Sequence, residues 1–303
     1  METLVQRLGY VSLDVVELET AVRDAEIISG ARVVDRSPHR VLMSSNRRRA
    51  ELVLYAAAQS GVRCIGLEAL SADAVDNVKA RAQRAGLVVI AEKPSLEFVD
   101  RAVTFLTSEG HAIEVHTPLP KDQAIRYAGA GIHPLCIDHV NLNSADPKKL
   151  SDELQSVLGL RLSERTTNHE LVWLRAGDGR HHTVGIVGAP AAGLHHFSWE
   201  LRDFNDFKRL GDVLDTEDRL LVWGPGRHGA GDNLFAYYFD RSGFLVECTA
   251  EMEVIQDLNH QPPVFDVASL AVNPKAGNRW GQLPPPSWVA HSNSFVQHRR
   301  AVG

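Results

Sequence analysis

The chain has 303 residues and 14 histidines, and seven of these (His139, His169, His181, His182, His195, His196 and His228) fall between positions 139 and 228. The first 116 residues hold only His39, His111 and His116. This asymmetry places any metal or acid–base chemistry in the second half. Residues 224–247, GPGRHGAGDNLFAYYFDRSGFLVE, focus it further. A Gly/Pro-rich turn presents His228, an aromatic-rich run follows, residues 240–243 turn the chain, and a second apolar run ends on Glu247. Turn chemistry between two such runs predicts a hairpin. A carboxylate at the end of a run that reads Phe244, Leu245, Val246 is costly unless a cation or a donor meets it.

Two imidazoles stand on other strand-like runs, His139 in CIDHVNLN and His196 in GLHHFSWE. Alternation along a strand sends His195 and His196 to opposite faces, so at most one of them points inward. His139, His196 and Glu247 together are a 2-His-1-carboxylate set. Such a set holds a divalent metal on one face and leaves other positions open, the pattern of non-haem Fe(II) oxygenases. Three further residues are candidate helpers. His182, the second His of RHHT, is an acid–base candidate. Tyr237 lies on the strand paired with that of Glu247 and offers a phenol, and His228 stands at the rim to touch a substrate hydroxyl. His133, His169 and His195 read as ordinary core or surface histidines, and Tyr238 as an ordinary strand aromatic.

These residues need strands to carry them, and the chain supplies strands in a repeat. Residues 8–13 suit a strand, 18–29 carry helical apolar spacing, and Gly30 is placed to end the helix. Strands follow at 40–43 and 51–55. The pattern restarts with a strand at 62–67, a helix capped by Ser71 and stopped at Gly86, and strands near 87–90, 102–106 and 112–115. A Pro/Gly-containing connector, 117–134, leads to a third start. There Asp146 can cap a helix with Pro147 at its first position and Gly159 at its end, before strands near 171–174 and 183–186. A fourth unit starts at Leu194, with a helix at 204–214, and ends on the hairpin. Order-preserving echoes support an internal duplication: LGYVSLDV with CIDHVNLN, GVRCIGLEAL with GLHHFSWELR, TFLTSEGHAIEV with YYFDRSGFLVEC. In these echoes Tyr10 stands for His139, Cys64 for His196 and Glu114 for Glu247, a poor Fe(II) set.

The expected fold class is α+β, four tandem βαβββ modules in two domains. Each pair of modules forms an open, barrel-like curved sheet with helices outside. Residues 1–125 make the first domain, without an active metal site, and 135–250 the second, with the metal site. Residues 251–303 form a Pro-rich extension that wraps the surface or an oligomer contact. The net charge of -6 argues against nucleic acid as a partner, and no apolar run approaches a membrane span. Three well-separated cysteines and an N-terminus without a signal-peptide pattern fit a cytoplasmic protein.

The layout and the C-terminal motif resemble the two-domain type I extradiol dioxygenases of the vicinal oxygen chelate superfamily, such as catechol 2,3-dioxygenases and dihydroxybiphenyl dioxygenases. The family signature is carried by His228, Tyr237, Asp240, Gly243 and Glu247, with Ala236 for a bulkier aliphatic residue and Arg241 for the usual Pro. The resemblance implies Fe(II), with Mn(II) chemically possible, held by His139, His196 and Glu247. His182 would be the acid–base residue, and His228 and Tyr237 would bond the substrate oxygens. It also implies a small aromatic diol and O2 as substrates, ring opening beside the diol in aromatic catabolism, and a homo-oligomer. Two other readings share the fold: a glyoxalase-like metal-dependent isomerase or lyase, and a metal-free small-molecule binding protein.

Overall fold

The computed structural model describes residues 2–122 and 131–297, so part of the 117–134 connector, including residues 123–125 of the first expected domain, lies outside the described residues. Four modules of strand, helix and three strands follow one another. The first is β1 (Val5–Val15), α1 (Leu18–Ile28), β2 (Arg32–Arg36), β3 (Arg40–Ser44) and β4 (Leu52–Ala56). The second is β5 (Gly61–Ala69), α2 (Ala72–Arg84), β6 (Val88–Ala91), β7 (Ala102–Leu106) and β8 (Ala112–His116). The third is β9 (Cys136–Ser144), α3 (Pro147–Leu158), β10 (Arg161–Thr166), β11 (Leu171–Arg175) and β12 (Val184–Gly188). The fourth is β13 (Gly193–Glu200), α4 (Phe204–Thr216), β14 (Trp223–Arg227), β15 (Leu234–Phe239) and β16 (Leu245–Ala250). Among the described residues, no helix is long and apolar enough to cross a membrane.

The helix boundaries follow local chemistry. The Ser71 hydroxyl accepts from the Ala74 N–H, and the Asp146 carboxylate accepts from the Lys149 N–H. Gly159 closes α3 at φ 71°, a left-handed position where a Cβ would also strike the Glu2 carbonyl. The buried stripe Leu150, Leu154, Val157 and Leu158 of α3 seals it to its sheet. Two strands differ from expectation. Residues 223–227, part of the Gly/Pro-rich stretch expected as a turn, form β14, and Pro225 is tolerated there because β14 is the edge of its sheet. The second is β10, whose RLSERT sequence has no period-2 pattern because burial does not alternate along it.

The sheets explain how the repeats cooperate. The first runs β2-β3-β4-β1-β5-β8-β7-β6, and the second β14-β15-β16-β13-β9-β12-β11-β10, ending on β17 (Val264–Phe265) from the C-terminal extension. In each module the first strand pairs parallel with the last, and the first strands of paired modules meet antiparallel, β1 with β5 and β9 with β13. The strands carrying His139, His196 and Glu247 are therefore β9, β13 and β16, three consecutive neighbours. The extension also bridges back to the body at Arg180↔Val254, Leu194↔Asn293 and Val62↔Phe295, and it contributes the short helices α5 (Ser269–Val272) and α6 (Pro286–Val289).

Buried contacts tie the halves together. Glu51 accepts from the Ile137 N–H at 3.0 Å, and His111 Nε2 donates to the Asn143 carbonyl at 2.8 Å. Arg241, the departure from the family motif, has a purpose here. Its backbone N–H donates to Asp24 of α1 at 3.0 Å, and its guanidinium lies 3.4 Å from Glu217. A proline at this position would have no N–H to give.

Candidate metal centre

His139, His196 and Glu247 converge on one point. Their ligand atoms lie within 4.8 Å of one another, and all three residues are at most 2% exposed. Glu247 Oε2 is 2.9 Å from His139 Nε2 and 3.1 Å from His196 Nε2. Among the described residues, the remaining partners of Glu247 are His228 at 3.7 Å, the Asn233 amide at 3.4 Å and the Tyr237 phenol, with no lysine or arginine among them.

Hydrogen bonds behind the two histidines decide which ring nitrogen is bare. His139 Nδ1–H donates to Asp138 at 2.7 Å, and Asp138 is held by Arg180 at 2.8 Å. His195 Nε2 lies 2.8 Å from the Trp288 carbonyl, which can only accept, so the proton sits on that nitrogen. His195 Nδ1 is then an acceptor, and the 2.7 Å contact between the two Nδ1 atoms requires His196 to donate. Both candidate ligands thus turn Nε2 toward Glu247.

The charges follow. Burial opposes a charge on His139, but the Glu247 carboxylate and Asp138 outweigh it and raise the imidazole to about 9. Burial lowers His196 to about 4, so that ring is neutral. Burial alone would raise Glu247, yet the His139 charge and the His139 hydrogen bond hold it well below the carboxylate range. A neutral His196 with its proton on Nδ1 aims a lone pair at the Glu247 oxygen. That contact is repulsive unless a cation lies between them. Two imidazoles backed by acceptors and a buried carboxylate without a permanent cation therefore fit a divalent metal.

The helper residues surround this point. His182 lines the cavity above it, its ring 4.3 Å from that of His139, while His181 turns away to within 3.3 Å of Glu164. Burial, then the neighbouring His139 charge, pushes His182 well below its ordinary value. Tyr237 is the register partner of Glu247 on β15. Burial, then the Glu247 charge, pushes its phenol well above 10, so it stays a donor. His228 Nδ1 donates to the Gly277 carbonyl at 3.1 Å, and its Nε2 accepts from Tyr237 at 3.1 Å. Strand alternation is correct for His195, which faces away from Glu247, but the extension buries it to 1% exposure. A cavity of about 250 Å³ reaches the cluster, lined by Trp173 and Val187 of the third module and by Trp288 and Leu283 of the extension, among others.

Several residues escaped sequence reasoning. Asp138 and His195 each stand directly before a candidate ligand, and the D-H and H-H pairs were the signal for them. Asn141 lines the cavity with a buried Oδ1 that has no partner. Trp288 carried no local signal. In the first half, Tyr10 donates to Glu114 at 2.7 Å and meets Ser95 at 2.8 Å, so the phenol ring fills the equivalent space.

Residues 136–248 match the Glyoxalase/Bleomycin resistance protein/Dioxygenase superfamily. Metapyrocatechase 2 of Cupriavidus necator is 31% identical over 123 residues, 40% of this chain and 38% of that protein. A manganese-dependent 2,3-dihydroxybiphenyl 1,2-dioxygenase of Geobacillus genomosp. 3 is 27% identical over 182 residues, 54% of this chain and 58% of that protein. The matched stretches thus span less than two thirds of either relative. In fold, the chain is similar to homoprotocatechuate 2,3-dioxygenase of Arthrobacter globiformis, with a TM-score of 0.87, 18% identity and coverage of 97% and 94% of the two chains. It is also similar to a Mn(II)-bound glyoxalase of Novosphingobium aromaticivorans, with a TM-score of 0.83, 24% identity and coverage of 97% of both.

Proposed function

We propose that this chain, whose residues 136–248 form a domain of the Glyoxalase/Bleomycin resistance protein/Dioxygenase superfamily, opens a catechol-type ring beside its two hydroxyls and inserts both atoms of O2. The observation that carries the proposal is the convergence of His139, His196 and Glu247 beside a cavity that His182 and Tyr237 also line. In this reading Fe(II) or Mn(II) is held by His139 Nε2, His196 Nε2 and a Glu247 oxygen. The bound ion supplies Lewis acidity and a common meeting point for diol and dioxygen.

The protein's own groups do the rest. His182, neutral and aimed into the cavity, accepts a hydroxyl proton from the diol. Its depressed basicity means that it keeps the proton only while the diol's negative charge is beside it, so it can return the proton to a product oxygen. Tyr237 stays protonated, and on substrate binding its one O–H turns from His228 Nε2 to a substrate oxygen, which leaves His228 Nε2 free to accept from a substrate hydroxyl. Trp223 and Trp288 wall off water, which strengthens each of these interactions. The first domain, residues 1–125, acts as a scaffold and residues 135–250 carry the site, while the described part of the 251–303 extension lines its cavity. The chain acts as a cytoplasmic homo-oligomer.

Anaerobic loading with Fe(II) or Mn(II), followed by a panel of catechols and air, tests this. Stoichiometric oxygen uptake and a coloured ring-fission product are expected. Bound metal without oxygen uptake on any catechol would overturn the proposal. It would instead favour a glyoxalase-like isomerase, although such sites usually take four protein ligands and the described residues bring three together.

A further inference from the structure

We infer that the diol taken by this site carries a small uncharged apolar substituent, and that catechols bearing a carboxylate on that substituent are rejected. The inference rests on the ring-cleavage reading and names its substrate class. The cavity is divided by chemistry. Its polar atoms gather at the floor, on Asn141, His182, His196, His228, Tyr237 and Glu247. The rest of the lining is mostly apolar, with Leu171, Trp173, Val187, Phe265, Leu283 and Trp288, whose indole N–H is buried without a partner, and among the described residues no lysine or arginine lines it.

A charge count gives the same answer. A divalent ion is offset by Glu247 and by a diol that has lost at least one proton. No positive charge is left for a second anion, and the buried Trp288 indole N–H, a single neutral donor, cannot replace the water around a carboxylate. The cations Lys275 and Arg279 line a neighbouring open cleft that shares Phe265 with this cavity, and Arg279 is paired with Asp232 at 3.3 Å. The volume of about 250 Å³ falls below the usual 300–1,000 Å³ range of ligand sites. That space suits one ring with a short side chain. Because Leu270, Leu283, Pro284, Trp288 and Val289 all belong to the C-terminal extension, the extension sets this selectivity.

The sharpest test compares two ligands with one carbon skeleton, 4-ethylcatechol and 3,4-dihydroxyphenylacetate, on the metal-loaded full chain. Two buried carbons should make kcat/KM for 4-ethylcatechol about tenfold higher than for catechol. The unpaired carboxylate should make the acid at least about 100-fold poorer than its ethyl counterpart. Val289 is 59% exposed and lines the cavity, so Val289→Arg can be introduced at the mouth without burying a charge. It should narrow the gap between the two ligands at least tenfold. Equal or better use of the acid by the unaltered protein overturns the inference. If no diol supports oxygen uptake, anaerobic binding of the same pair to the Mn(II)-loaded protein separates the two claims. Tighter binding of 4-ethylcatechol by about 100-fold upholds the cavity chemistry while ring cleavage fails. Equal binding, or binding of neither, overturns the cavity chemistry too.

Discussion

His195→Phe should weaken metal binding without touching a ligand. In the structure His195 accepts the Nδ1 proton of His196 and passes its own Nε2 proton to the Trp288 carbonyl. Phenylalanine keeps a planar ring against Trp288, whose ring centroid is 4.4 Å away, but removes both nitrogens. The His196 Nδ1–H is then a buried donor with no acceptor, at a cost of about 1–3 kcal/mol. The ring can relieve that cost by moving its proton to Nε2, which blocks the lone pair the metal needs. Either route converts to roughly a 10–100-fold loss of metal affinity, the range seen when groups supporting a metal ligand are removed. Competition of Mn(II) between the protein and a chelator measures this directly. His195→Gln can accept with Oε1 and donate with Nε2, so it should recover most of the affinity. Affinity within twofold of the unaltered protein in His195→Phe would refute the reasoning, since the proton on His196 would then not depend on His195.

Other expectations follow from the same contacts. His182→Phe should lower kcat by about 10²–10⁴-fold while metal content stays at the unaltered level, and loss of metal would reassign His182 as a ligand. The metal-free protein should lose stability as pH rises. His139 is raised from 6.5 to about 9, so its contribution is complete below pH 6.5 and is lost through pH 9. The shift corresponds to roughly 3 kcal/mol as an order of magnitude, visible as a falling melting temperature between pH 6.5 and 9.5 that metal loading abolishes. Arg241→Pro should destabilise the protein by about 1–2 kcal/mol in urea unfolding, because the hydrogen bond to Asp24 disappears. Metal affinity should hold, as residue 241 sits in the turn and not on β16.

The repeat was legible because each module carries its own punctuation. Ser71, Asp146 and Gly159 mark helix ends by local chemistry that needs no tertiary context. The three candidate ligands were legible for a related reason, since internal duplication places His139 and His196 on equivalent first strands, and the sheet makes β16, which carries Glu247, their neighbour. What stayed hidden depends on what lies across a face. Alternation says that His195 points away from Glu247, but nothing local says that residues 93 positions later cover it. β14 escaped because glycine and proline suit a turn as well as a sheet edge. The role of Arg241 stayed hidden because its partner Asp24 lies far off in the first half.

The central claim is that His139, His196 and Glu247 hold one divalent ion. A crystal structure of the Fe(II)-loaded protein, with anomalous data collected across the iron edge, tests it most directly. One peak at coordination distance from His139 Nε2, His196 Nε2 and a Glu247 oxygen, with Asp138 and His195 still bonded behind the two rings, is the predicted result. An iron peak elsewhere, or loaded crystals in which the three side chains remain hydrogen-bonded to one another, would contradict it.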